Sequence, residues 1–109
     1  VVKDSAEVLE NWEKQKAIEK GRSSAIDGVP LAQPSLTLVA KLLYRMKKFN
    51  YQLPINSPIQ LPEQINQDEL GQLLLGLISQ AVDKGLDPEA ALRGAGKSLI
   101  AQIQLHEAR

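Results

Sequence analysis

Residues 66–93 read NQDELGQLLLGLISQAVDKGLDPEAALR, and this stretch decides the fold class. Asn66 stands three residues before Glu69, the spacing of a capping box at a helix amino terminus. Leu70, Leu73, Leu74, Leu77, Ile78, Ala81 and Val82 then recur at intervals of three and four residues, which places them along one side of a helix. Gly85 tolerates the left-handed backbone that ends a helix. Asp87, Pro88 and Glu89 restart the chain at once: Asp serves as a cap, Pro fits the first helical position and Glu puts negative charge where the helix dipole favours it. A connection of two or three residues forces the two helices into an antiparallel hairpin. The second helix is expected to run to about His106, with Leu92, Ala95, Leu99, Ile100 and Ile103 on its apolar face. Gly94 and Gly96 fall inside it and imply either close helix packing or local weakness.

Upstream of the hairpin, residues 49–66 carry Pro54, Pro58 and Pro62. A proline inside a helix removes a donor and clashes with the preceding turn, at about 3 kcal/mol, so no regular helix is expected there. Before that, residues 35–48 place Leu36, Val39, Ala40, Leu42, Leu43 and Met46 at helical intervals, starting after Pro34 and ending in bases that suit a helix carboxy terminus. Residues 21–34 are rich in turn formers (Gly21, Ser23, Ser24, Asp27, Gly28, Pro30) and read as an irregular linker. A further helix is expected over residues 4–20, with Val8, Leu9, Trp12 and Ile18 on a thin apolar stripe and Trp12 as its anchor against another segment or chain.

The 109 residues allow at most one folded unit with a modest core. The apolar fraction is 43% but only 4% is aromatic, and it is spread through long segments, which favours packed helices over a sheet. Absence of cysteine excludes disulfides, thiolate ligands and a cysteine nucleophile, and is compatible with a cytoplasmic setting. No apolar run reaches the roughly 18 residues needed to span a bilayer. The net charge of zero gives no case for nucleic acid or membrane binding by the whole chain. Bases are nevertheless concentrated between Lys14 and Lys48, where the acids are Glu19 and Asp27, so this half forms either a solvated face or a surface for a phosphate-bearing ligand. His106 has no partner for a catalytic triad and is expected to be exposed.

Two stretches resemble MazG-type nucleoside triphosphate pyrophosphohydrolases. One comprises Asn11-Trp12-Glu13, Lys16, Glu19-Lys20, Asp27-Gly28-Val29-Pro30 and the Gln33-Pro34-Ser35-Leu36 lead into a helix with Lys41 and Arg45; it is similar to the join between that family's two repeated domains. The other runs from Asp68-Glu69-Leu70 through Gly85-Leu86-Asp87-Pro88-Glu89 to Arg93 and is similar to the second carboxylate helix and hairpin of the carboxy-terminal domain. The resemblance implies an all-α fold in which residues 1–34 are an inter-domain helix and linker. Residues 35–109 would then be a degenerate carboxy-terminal domain, half of a four-helix bundle completed by dimerisation or by the amino-terminal MazG domain. Starting within a linker, the sequence is expected to be a fragment.

The family's implied chemistry is magnesium-dependent hydrolysis of a nucleoside triphosphate to the monophosphate and pyrophosphate, with acids from E-E-x-x-E on one helix and E-x-x-D on the next. Carboxylates suit magnesium because a small hard cation takes oxygen ligands in near-octahedral array. This chain departs from that pattern. The second motif reads Glu69-Leu70-Gly71-Gln72, and no E-E-x-x-E precedes it. Glu69 is therefore either a remnant metal ligand or a capping-box acid, and Asp68 a ligand or a first-turn acid. Lys41 and Arg45, one helical turn apart, either grip phosphates or form a solvated basic edge. The expected function is an oligomerisation or structural module with little activity of its own; the alternative is an active hydrolase whose missing acids come from a partner subunit.

Overall fold

The computed structural model describes residues 24–109. The expected helix over residues 4–20, with Trp12 and its neighbouring bases, lies outside them. The described part is all-α, with three helices: α1 Ser35–Lys48, α2 Gln67–Asp83 and α3 Pro88–Glu107. None of the three is long and apolar enough to cross a membrane.

Each helix ends where local chemistry dictates. The Asn66 side chain accepts a hydrogen bond from the Glu69 backbone N–H at 2.8 Å, which opens α2. At the other end Gly85 has φ +72°, and the N–H groups of Gly85 and Leu86 turn back to the carbonyls of Val82 and Ala81. The Asp87 side chain accepts from the Ala90 N–H at 3.2 Å, with Pro88 at the first turn of α3. Helix α1 closes in the same way as α2, but with Asn50 at φ 60° in the glycine position and Tyr51 N–H returning to Met46 O at 2.8 Å. Beyond Tyr51 the proline-bearing segment runs without helix to Asn66, as the prolines require.

The core lies between α1 and α3. Leu38, Leu42 and Met46 of α1 meet Leu99 and Ile103 of α3, and Ala25 and Val29 from the turns before α1 close one side. Residues 24–34 are thus irregular yet packed into the same core as the helices. The buried stripe of α1 is Ser35, Leu38, Leu42, Arg45 and Met46. It is rotated from the expected one, because Leu36 is left 57% exposed and Leu38, absent from that expectation, is buried. Helix α1 has apolar residues around much of its circumference, and the loop carbonyls that bind Arg45 select which line turns inward. Gly96 resolves the question raised by the two helical glycines of α3. A Cβ there would sit 3.3 Å from Val39 Cγ2, so this glycine lets α1 and α3 approach, whereas Gly94 faces open space.

Helix α2 stands apart. It is the most apolar of the three helices, yet none of its residues is buried.

Candidate interaction surface

Two carboxylates at opposite ends of α3 fix the segment that precedes α1. At the start of α3, Glu89 Oε2 accepts from the Ser35 N–H at 2.9 Å and from Ser35 Oγ at 2.6 Å. Pro34, at the N-cap of α1, has no capping side chain. Glu89 therefore caps α1 from a different helix and places negative charge at its positive end. Arg93, one turn along, reaches Glu89 at 3.3 Å and donates to the carbonyls of Leu31 and Gln33. The Ser35 hydroxyl and N–H, followed by Arg93, hold the Glu89 carboxyl below its ordinary pKa.

At the far end of α3, Glu107 receives Ser24 Oγ at 2.7 Å, the Ala25 N–H at 2.9 Å and Tyr51 Oη at 2.6 Å. Desolvation pushes this carboxyl upward, but the bonds from Tyr51, Ser24 and Ala25 outweigh it, against some opposition from Asp27, and the pKa is lowered. Tyr51 is driven well above the usual tyrosine range, by burial first and then by its bond to the Glu107 charge. His106 is exposed, as expected, with its ring 4.6 Å from that of Tyr51.

The candidate phosphate ligands go to different places. Arg45 is buried, 7% exposed, and its guanidinium donates to the carbonyls of Asp27 at 3.0 Å and Ala25 at 3.4 Å. Lys41 is exposed, with Nζ 5.6 Å from the ring centroid of Tyr44, over which Lys48 also lies at 5.2 Å. One helical turn separates the two residues in sequence, but the fold turns one inward as a loop clamp and leaves the other on the surface. They do not converge on one anion.

Glu69 and Asp68 both lie exposed in the first turn of α2. Among the described residues no group of three or more acids or histidines is placed to hold a metal ion. Two exposed carboxylates on one turn do not fit magnesium, which surrenders its water reluctantly, so no step is assigned here to a bound ion.

What the helices do build is a groove. Leu74, Leu77 and Ile78 of α2 face Leu92 and Ala95 of α3, with Leu36 of α1 at one edge, around a space of about 720 Å³ open to solvent. Leu77 and Ile78 remain 52% and 44% exposed, and the outer positions Leu75 and Val82 about 60%. At about 100° per residue, the apolar positions of α2 span roughly 200° of its circumference, wider than the single stripe that one neighbouring helix covers. The capping pattern and the periodicity announced α2, its apolar face and the hairpin's need of a further partner, but not where the groove would lie. The roles of Glu89 and Glu107 were hidden as well. Only the four-residue spacing from Glu89 to Arg93 hinted at either, since Ser24 and Glu107 are 83 residues apart.

The chain is similar to the "Uncharacterized 26.1 kDa protein in blaB 3'region" of Streptomyces cacaoi, with 38% identity over 96 residues covering 87% of this chain and 36% of that protein. It thus spans little more than a third of the length of the relative it matches. No family model matches the chain. No solved structure matches it.

Proposed function

We propose that this chain is the carboxy-terminal helical part of a MazG-type nucleoside triphosphate pyrophosphohydrolase and acts there as an assembly module, with little hydrolysis of its own. The observation that carries the reading is α2, a leucine-rich helix of 17 residues with none buried. An apolar arc that wide is stable in water only when more than one neighbour covers it. The exposed side chains of α2, with Leu36 and Leu86, present on the order of 800 Å² to solvent, about what one partner contributes to a standard interface. Sedimentation equilibrium over a hundredfold range of concentration tests the reading: a self-associating species is expected, and a strict monomer throughout would count against assembly by this chain alone.

A second reading keeps the chemistry. Asp68 and Glu69 stand exposed at the start of α2, beside the face a partner would cover, where acids from a partner subunit would complete a magnesium site. Pyrophosphate release from a mixture of nucleoside triphosphates, with and without magnesium, separates the two. The assembly reading expects no release above background; magnesium-dependent release abolished by Glu69→Gln would establish the hydrolase.

A further inference from the structure

The described residues present two apolar surfaces that share no lining residue. One is the groove between α2 and α3. The other is the helix-free segment 54–62, exposed throughout and bent at residues 58–59, where Ser57 Oγ donates to the Ile59 carbonyl, with Ile55, Ile59 and Leu61 at 55%, 61% and 52% exposure. No charged residue falls between Lys48 and Glu63. Pro54, Pro58 and Pro62 each fix their own φ and keep this segment out of helix, so part of the entropy cost of seating it is already met in the free chain.

Both ends of the segment are anchored outside its own groove. It leaves the core at Leu53, which with Pro54 lies beside Leu105 and His106 near the end of α3, and it finishes at the Asn66 cap of α2. The groove opens from the turn between α2 and α3 and lies along the first turns of α3, up to Ala95. Ten residues of helix, about 15 Å, separate Leu105 from Ala95.

We propose that residues 54–62 of a second copy of this chain fill the α2–α3 groove, and that the exchange is reciprocal about a twofold axis. The inference rests on the assembly reading and names the occupant. Ile55 and Ile59 are at most about 14 Å apart at full extension, and the bend between them shortens that span toward the roughly 10 Å of α2 axis between Leu74 and Ala81, so both isoleucines can lie along the groove wall. A segment without charges enters an apolar groove without stranding an ion. Reciprocity gives each copy one groove and one strap to bury, the self-complementary pattern of a closed dimer.

The absence of native cysteine makes the test direct. Ile59→Cys and Leu77→Cys variants of the full chain are prepared separately, mixed and oxidised, and their association is followed in parallel by sedimentation. The mixture is expected to yield a disulfide between position 59 of one chain and position 77 of the other, in clear excess over either homodimer. Ile59→Asp, at an exposed position, is expected to weaken self-association at least about tenfold while leaving helix content unchanged. Dimers that form without the mixed disulfide, or in which the Leu77→Cys variant cross-links chiefly to itself, overturn the strap and set α2 against α2 while sparing the assembly reading. A strict monomer overturns both.

Discussion

Glu107 ties two distant segments to the end of α3, since it binds a hydroxyl, a backbone N–H and a phenol. Glu107→Gln exchanges a charge for an amide that cannot accept all three, and a loss of about 1–3 kcal/mol is expected in urea unfolding. Tyr51→Phe should cost about 1 kcal/mol, since Glu107 keeps its other two donors. The pH dependence follows from the directions of the shifts. Glu89 and Glu107 titrate below their unfolded value of about 4.3, so their contribution is complete above that pH and drains away as pH falls through their lowered folded values. Tyr51 is shifted the other way, so its contribution is complete below about pH 10 and is lost as pH rises beyond it. Unfolding midpoints measured across both ranges should show an acid limb that Glu107→Gln makes shallower, and an alkaline limb that Tyr51→Phe removes. Arg45 belongs to the same scale. Its guanidinium binds loop carbonyls, so Arg45→Met is expected to cost about 1–3 kcal/mol, while Lys41→Ala on the surface should stay within about 0.5 kcal/mol.

At the scale of elements, the glycines of α3 separate packing from propensity. Gly94→Ala adds a methyl group to open space in a helix interior and should stabilise by about 0.5–1 kcal/mol. Gly96→Leu, against Val39 and Leu38, should destabilise by about 1–3 kcal/mol through overpacking, and thermal unfolding of the pair measures both signs. The helices themselves were legible in the sequence because their signals are local: Asn66, Gly85, Asp87 and Pro88 mark boundaries by chemistry that acts within a few residues. The face that each helix buries was less legible. Leu36 and Leu38 are both leucines on α1, and a partner 54 residues away, Glu89 on Ser35, helps to decide which of them turns inward. The candidate site divides the same way. Lys41 and Arg45 share a helical spacing, yet only the turns at Ala25 and Asp27, brought back by the fold, make one of them a clamp. No rule of spacing within α1 contains that information.

At the scale of the whole molecule, the described part has a small core between α1 and α3 and a second apolar surface on α2 that this core does not use. A core of five large aliphatic side chains and two smaller ones is marginal for a chain of this length, so the proposed association over α2 would supply a substantial part of the total stability. Linkage gives that statement a measurable form. A partner that binds only the folded chain stabilises it by about 2.7 kcal/mol when present at a hundred times its dissociation constant. The urea midpoint should therefore rise with protein concentration, and amides of α2 should exchange more slowly in concentrated than in dilute samples. Leu77→Lys places a charge on the groove wall at a position 52% exposed, outside the α1–α3 core. It should abolish the concentration dependence and hold the midpoint at the dilute value, with helix content retained below the transition. A midpoint that moves with concentration in the wild-type chain and equally in Leu77→Lys would place the association on some other surface, because a lysine cannot enter a dry apolar groove without the cost of its desolvation.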